Sequence, residues 1–366
     1  MQTRQTHIDV LKLMAAQFIV LHHFANYGPL AAAMSEAAPG WTAWLYDDAR
    51  MAVQVFLVLG GYLAASSLAP EGLIRVGSPW RTVIRRYLRL ALPFMAALLL
   101  AVTGSLLARH WLGSDFIPAA PTWGQMLSHA LLLHGVLGVE SLSAGVWYVA
   151  IDFQLFALMT GLLWLGRSSP RLARTGVLGF MLASLFFFNL NTDGDNWALY
   201  FFGAYGMGAA AFWSGRSCRR GWMLALLALV GLLALVLDFR GRIALALVVA
   251  LLLGLVECRD DEPARRFALP ASLSSAISLL GQTSYALFLV HFPVLMLGNV
   301  LFARLNPGSP WTAALVLFAS WAACVVLALM FERWVEAPLS RLRFRTRSSS
   351  SSFQFFSPAR STLPRA

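Results

Sequence analysis

One aspartate, one lysine and two histidines interrupt the first apolar stretch of the chain, Ile8 to Leu30, which reads IDVLKLMAAQFIVLHHFANYGPL. Asp9 comes first, then Lys12, the sole lysine among 28 Lys and Arg residues, and then the pair His22–His23. A lysine or aspartate near the centre of a membrane helix costs about 2.5–3.5 kcal/mol, so such residues are functional candidates first. At about 100° per residue, Lys12 and His23 return to nearly the same helix face, about 16 Å apart along the axis. A cation and an imidazole thus lie along one stripe. A histidine with proton affinity near neutral pH is the usual general base for activating a hydroxyl. The plainer account, an interhelical hydrogen bond, stays open for either ring.

Four other segments carry reactive or charged groups. The run SPWRTVIRRYLRLALP holds Arg81, Arg85, Arg86 and Arg89, and both Arg85 and Arg86 can share a helix face with Arg89. Guanidinium forks there suit phosphate oxygens, although the same charges would also serve as a simple membrane anchor. VWYVAIDFQLF places Asp152 and Gln154 inside an apolar span, where pairing of the carboxylate with a histidine competes with snorkelling to the interface. GQTSYALFLVHFPV brings Ser284, Tyr285 and His291 just ahead of Pro293, which kinks a helix or frees a backbone carbonyl. Trp41, Trp44, Tyr46, Asp47 and Asp48 form an outer loop that reads as an aromatic belt, a sugar-stacking rim or a divalent-ion site.

The elements that must position these groups are transmembrane helices. The 366 residues are 58% hydrophobic and only 12% charged, against about 25% charged in a soluble domain. About 20 apolar residues cross the hydrocarbon core. Ten segments meet that need approximately: 8–28, 50–68, 89–108, 145–165, 174–190, 197–214, 222–238, 242–257, 275–301 and 311–331. Segment 125–139 is too short to span and reads as interfacial or re-entrant. With the N-terminus inside, 22 of the 27 arginines (the 28 Lys and Arg less Lys12) fall in inner segments, leaving Arg50, Arg109, Arg240, Arg242 and Arg304 outside. This skew predicts an all-α polytopic bundle of about ten helices with both termini cytoplasmic.

The net charge of +11 is therefore expected to meet anionic lipid rather than nucleic acid, since the arginines cluster between apolar spans. Cys218, Cys258 and Cys324 have neither metal-ligand nor disulfide spacing, and no metal site is expected. The first span lacks a small-residue cleavage site and is read as retained. The basic, serine-rich segment after Leu339 is expected to be a disordered cytoplasmic tail. No internal repeat is visible, which weakens a transporter built on inverted halves.

Taken in order, these segments resemble the acyltransferase-3 family of bacterial membrane O-acyltransferases. That family opens with an aspartate, an arginine or lysine, ten residues and a histidine before an aromatic, matching Asp9, Lys12, His23 and Phe24 and selecting His23 over His22. VFLVLGGYLAASSL resembles its second span, Arg86 and Arg89 its arginine step, Trp147 to Phe156 its tryptophan-to-glutamate segment, and Ser284, Tyr285 and His291 its SY…L..H segment. Glu336 and Pro338 fit the closing E-x-P. Asp152 stands where glutamate is usual, Gly60 where serine is common, and Gln54 where aspartate is common.

The resemblance implies a transmembrane acyltransferase domain over residues 1–339, with 340–366 as tail. It implies transfer of an acyl group, often acetyl, from acyl-CoA as co-substrate to a hydroxyl of a cell-surface or exported polysaccharide or glycolipid, at the bacterial inner membrane. His23 would be the base, Asp152 its orienter and His291 a further catalytic group. Lys12, Arg85, Arg86 and Arg89 would hold donor phosphates, with Asp9, Trp147, Ser284, Tyr285 and Glu336 in support. No bound cofactor is expected; the partners are the donor, a glycan or lipid-linked sugar, and the bilayer. Two other classes stay open: a polyprenyl-phosphate-dependent glycosyltransferase using Asp47 and Asp48 with a metal, and a lipid or polysaccharide transporter.

Overall fold

The computed structural model describes residues 3–112, 116–257, 270–305 and 309–341. The tail after Arg341, Cys258, Arg259, Arg265 and Arg266 lie outside the described residues. Within the described residues the chain forms helices and no strand. They run α1 (Thr3–Phe24), α2 (Gly28–Ala37), α3 (Pro39–Asp47), α4 (Val53–Leu68), α5 (Pro79–Trp111), α6 (Trp123–Ala130), α7 (Trp147–Leu165) and α8 (Pro170–Phe186). Then follow α9 (Ala198–Gly215), α10 (Arg220–Leu237), α11 (Gly241–Glu257), α12 (Ala271–Gln282), α13 (Ser284–Leu305), α14 (Pro310–Phe331) and α15 (Ala337–Ser340), the last reached through a π-turn at Glu332–Glu336.

Several helix starts share one device. Ser78, Ser169 and Ser309 each stand before a proline, and each hydroxyl accepts a hydrogen bond from a backbone N–H of the first turn. The serine satisfies an orphan donor while the proline, which has none, supplies helical φ. A short dipeptide therefore sets where α5, α8 and α14 begin.

Each of the ten expected spans falls on a helix, with differences at three places. Among the described residues, seven helical segments are long and apolar enough to cross a membrane by themselves, or eight if the bent pair α1–α2 counts as one. α9 is not among the seven because its lipid-like character is unnecessary: it is buried along almost its whole length by neighbouring helices. α11, at 17 residues, reaches about 26 Å, short of a hydrocarbon core of about 30 Å. The expected span 275–301 is divided at Thr283, where α12 ends and α13 starts.

The core is organised on α4 and α9, which cross at backbone contact. A Cβ at Gly61 would overlap the Tyr205 carbonyl, and one at Gly208 would overlap that of Val58. Close approach of small residues is how helices pack in lipid, where the hydrophobic effect between helices is absent. α1 packs on α12 and α13, and α13 packs on α5 and α14. After Phe24 the chain turns through 95° into α2. Asn299 of α13 fastens this corner, accepting from the Leu30 N–H at 2.9 Å and donating to the Tyr27 carbonyl at 3.2 Å. The segment after α6 folds back along α5: Tyr87 donates to the Ala130 carbonyl at 2.7 Å, and Phe94 stacks near His129 and His134.

Candidate functional site

His23 lies in the last turn of α1, one turn before the corner held by Asn299, and faces His291 of α13. Its Nδ1 is 2.9 Å from His291 Nε2. His291 Nδ1 is 2.8 Å from the Phe288 carbonyl one turn back. A carbonyl only accepts, so His291 Nδ1 carries the proton. With both rings neutral, His291 Nε2 is then an acceptor and His23 Nδ1 donates to it. His23 Nε2 is left with its lone pair. His291 is fully enclosed while His23 keeps 8% of its surface open, so His23 is the ring that a second molecule can meet.

His22 is committed elsewhere. Its Nδ1 lies 3.0 Å from the Leu45 carbonyl and ties α1 to α3. Adjacent positions on a helix point about 100° apart, so one histidine joins α3 and the other α13. The interhelical hydrogen bond and the reactive imidazole thus fall on different rings.

Asp152 does not reach His23. Its Oδ2 accepts from Arg86 Nη2 at 2.6 Å, across α5 and α7. In the structure Asp152 pairs with Arg86 rather than with His23, and the side chain hydrogen-bonded to His23 is His291. The physical reason is charge: a guanidinium and a carboxylate in a helix bundle neutralise each other, whereas Asp152 beside a neutral imidazole would leave Arg86 unpaired. Arg86 also lies over the Phe156 ring at 5.1 Å. It is therefore a bridge between helices more than an open phosphate ligand.

Further cations lie near the same end of α5. Arg85 and Arg89 are exposed, and Lys12 on α1 is half-buried. Lys12 and Arg89 both act electrostatically on Glu336, whose Oε2 is buried without a hydrogen-bond partner. Asp9 accepts from Ser278 at 3.1 Å and lies in the field of Lys12. Tyr285 donates to the Leu90 carbonyl at 3.1 Å and sits in the field of Glu336, Arg86, Arg89 and Asp152. Ser284 is buried at the start of α13, and Trp147 stacks on Phe201 at 5.5 Å, securing α7 to α9.

Two residues that the sequence reading did not single out connect these groups. Tyr148 packs edge-on against Phe288 at 5.6 Å and lies in the field of Asp152 and Arg86, so it joins the charged pair to the histidine pair. Gly145, with φ of +77°, passes beside His23; a Cβ there would stand 3.1 Å from Phe288 and 3.3 Å from His23 Cε1. A glycine after a polar loop is a turn signal, but its contact partner is 122 positions away and no local pattern announces it. Trp41 and Tyr46 are exposed on α3, and Asp47 lies at its end.

Together the groups can accept a proton at His23 Nε2 and hold anionic phosphate with Lys12, Arg85 and Arg89. The chain is 26% identical over 192 residues to a Caenorhabditis elegans protein, "Regulator of hypoxia-inducible factor 1". That match covers 49% of this chain and 38% of the relative, so the similarity spans less than half of the worm protein. No solved structure matches. The acyltransferase domain that defines the acyltransferase-3 family matches residues 6–329, nearly the whole chain. With several helices long and apolar enough to cross a membrane around the site, the chain belongs to this family.

Proposed function

We propose that the protein transfers an acyl group, acetyl in the simplest case, from acyl-CoA to a hydroxyl of a cell-surface or exported polysaccharide or glycolipid. The single observation that carries the proposal is the ordered chain from the Phe288 carbonyl through His291 to His23, which leaves His23 Nε2 as a free base. The acceptor oxygen attacks the thioester carbon while its proton passes to Nε2. The new C–O bond forms, the C–S bond breaks, and the proton held by His23 goes to the departing thiolate. His291 holds the ring and shares the developing charge, the orienting part that a carboxylate plays in other triads.

Lys12, Arg85 and Arg89 support a donor whose phosphates enter at their end of the bundle. With the N-terminus cytoplasmic, that end faces the coenzyme A pool and His23 lies toward the opposite leaflet. An inner bacterial membrane fits such a route. Membranes carrying the protein, supplied with acetyl-CoA labelled in the acetyl group, are expected to place label in glycan; membranes without it are not. Equal labelling of both, or none in either with acetyl, succinyl and longer donors, would overturn the proposal.

A further inference from the structure

The rings around His23 form a series whose exposure rises in one direction. His291 lies 4.8 Å from His23 between ring centroids and is fully enclosed. His23 also meets His22 at 5.1 Å and Tyr27 at 6.1 Å, both half-buried. His22 in turn meets Tyr46 at 6.1 Å, and Tyr46 is 48% exposed. The open part of His23 therefore lies toward the two tyrosines. Tyr27 is held firmly: its N–H donates to the His23 carbonyl at 3.2 Å, its own carbonyl accepts from Asn299 at 3.2 Å, and its ring meets Phe292 edge-on at 5.8 Å. Neither tyrosine hydroxyl has a protein hydrogen-bond partner among the described residues. A phenol so fixed offers a second molecule both an apolar face and a polar tip. Lys12 stands about 16 Å back along α1, so this mouth is removed from the donor cations.

We propose that Tyr27 and Tyr46 form the acceptor subsite, and that the subsite takes a pyranose ring. This rests on the acyl-transfer reading given under Proposed function. The acceptor oxygen must come within hydrogen-bond reach of His23 Nε2. Approach from the open side brings the rest of the acceptor against Tyr27 and, past His22, against Tyr46. A pyranose matches these groups, with a C–H face to lie on the Tyr46 ring and neighbouring hydroxyls to pair with the Tyr27 phenol. An alkyl chain in the same place would leave the Tyr27 hydroxyl without a partner in apolar surroundings, which is costly. Tyr27 thus selects which hydroxyl of the ring faces His23, and Tyr46 holds the ring that carries it. Both bind acceptor and neither takes its proton.

The test uses the full-length protein in lipid nanodiscs free of sugar-based detergent, supplied with labelled acetyl-CoA. The acceptors are the methyl pyranosides of glucose, galactose and mannose, with glycerol as a hydroxylated control that has no ring. Wild type is expected to acylate at least one pyranoside at a lower KM than glycerol. Tyr27→Phe should raise that KM by about three- to tenfold, the worth of one neutral hydrogen bond. Tyr46→Ala should raise it by a similar factor and Tyr46→Phe should restore it, while KM for acetyl-CoA holds in all three. Folded Tyr27→Phe and Tyr46→Ala proteins with the wild-type pyranoside KM overturn the subsite and leave acyl transfer standing. So does an equal KM for pyranosides and glycerol, or transfer to membrane glycan with none to any pyranoside. Absence of transfer from any acyl-CoA to every acceptor, membrane glycan included, removes the transfer reading and the subsite with it. Should Tyr46→Ala fail to fold, Tyr27→Phe decides alone, since it removes one oxygen and keeps the ring.

Discussion

His23 and His291 share one hydrogen bond of 2.9 Å, and the Phe288 carbonyl beyond His291 gives that bond its direction. Two rings that are 268 positions apart become a single proton-holding unit, with its free nitrogen on the less enclosed partner.

His291→Gln and His291→Phe separate orientation from bulk. Glutamine offers an amide oxygen that can still accept from His23 Nδ1; phenylalanine cannot. Turnover should fall by roughly 10²-fold or more in the phenylalanine variant and by less in the glutamine variant. KM for acyl-CoA should hold in both, since His291 lies away from Lys12 and Arg89. Initial rates across pH, with an altered profile in the variants, check the orienting role. A parallel loss of turnover and donor affinity would instead indicate general collapse of the α1–α13 contact.

Gly145→Ala adds one methyl in a backbone region that L-residues rarely adopt, against Phe288 and His23 Cε1. The expected result is a folded protein with impaired turnover, because the ring that must move or be approached is crowded. A thermal unfolding curve beside an activity measurement separates the two effects. Full activity would place the acceptor path elsewhere.

Arg86→Gln and Asp152→Asn each strand one charge inside the bundle. Removing one partner of a fully buried pair costs about 3–5 kcal/mol. Arg86 is 31% exposed, so about 2 kcal/mol is the better expectation here. The double variant Arg86→Met with Asp152→Leu should be closer to wild type in thermal stability than either single variant. Additive losses would show that the two side chains do not depend on each other.

The segment between α6 and α7 carries an acid-sensitive element. His134 is 1% exposed, stacks 4.2 Å from His129, and has no hydrogen-bond partner at either ring nitrogen. Burial, and secondarily the neighbouring His129, holds its pKa down at about 4 from an ordinary 6.5. The unfolded chain therefore takes up a proton that the folded chain refuses between those values. Stability from this residue is complete above 6.5 and is lost as the pH falls toward 4. His134→Leu should flatten the decline in melting temperature on acidification through that window. An unchanged slope would assign the acid response to other groups.

Hydropathy located every helix that carries the site, because lipid exposure imposes a long apolar run. It located α9 as well, although that helix is sheltered by protein, but it ran past Thr283, where a short polar break hides inside an apolar stretch. Spacing on α1 was enough to put Lys12 and His23 on one stripe, since both belong to a single helix. The partner of His23 was another matter. Asp152 and His291 were both present as candidates, and the choice depends on the mutual rotation of α1, α7 and α13, which no local pattern encodes. Arg86 was legible as a cation but not as the mate of Asp152. Tyr148 sat unremarked beside Asp152, and Gly145 inside a loop, because their roles come from contacts with α13.

The central claim is that His23, not His22, is the base. Purified wild type, His22→Ala and His23→Ala, matched for folding by thermal unfolding, should be compared for transfer of labelled acyl from acyl-CoA to glycan. The expected result is transfer reduced by about 10²–10⁴-fold in His23→Ala, with His22→Ala retaining most of its rate after allowance for the lost tie to Leu45. A folded His23→Ala protein that transfers acyl groups at the wild-type rate would contradict the account.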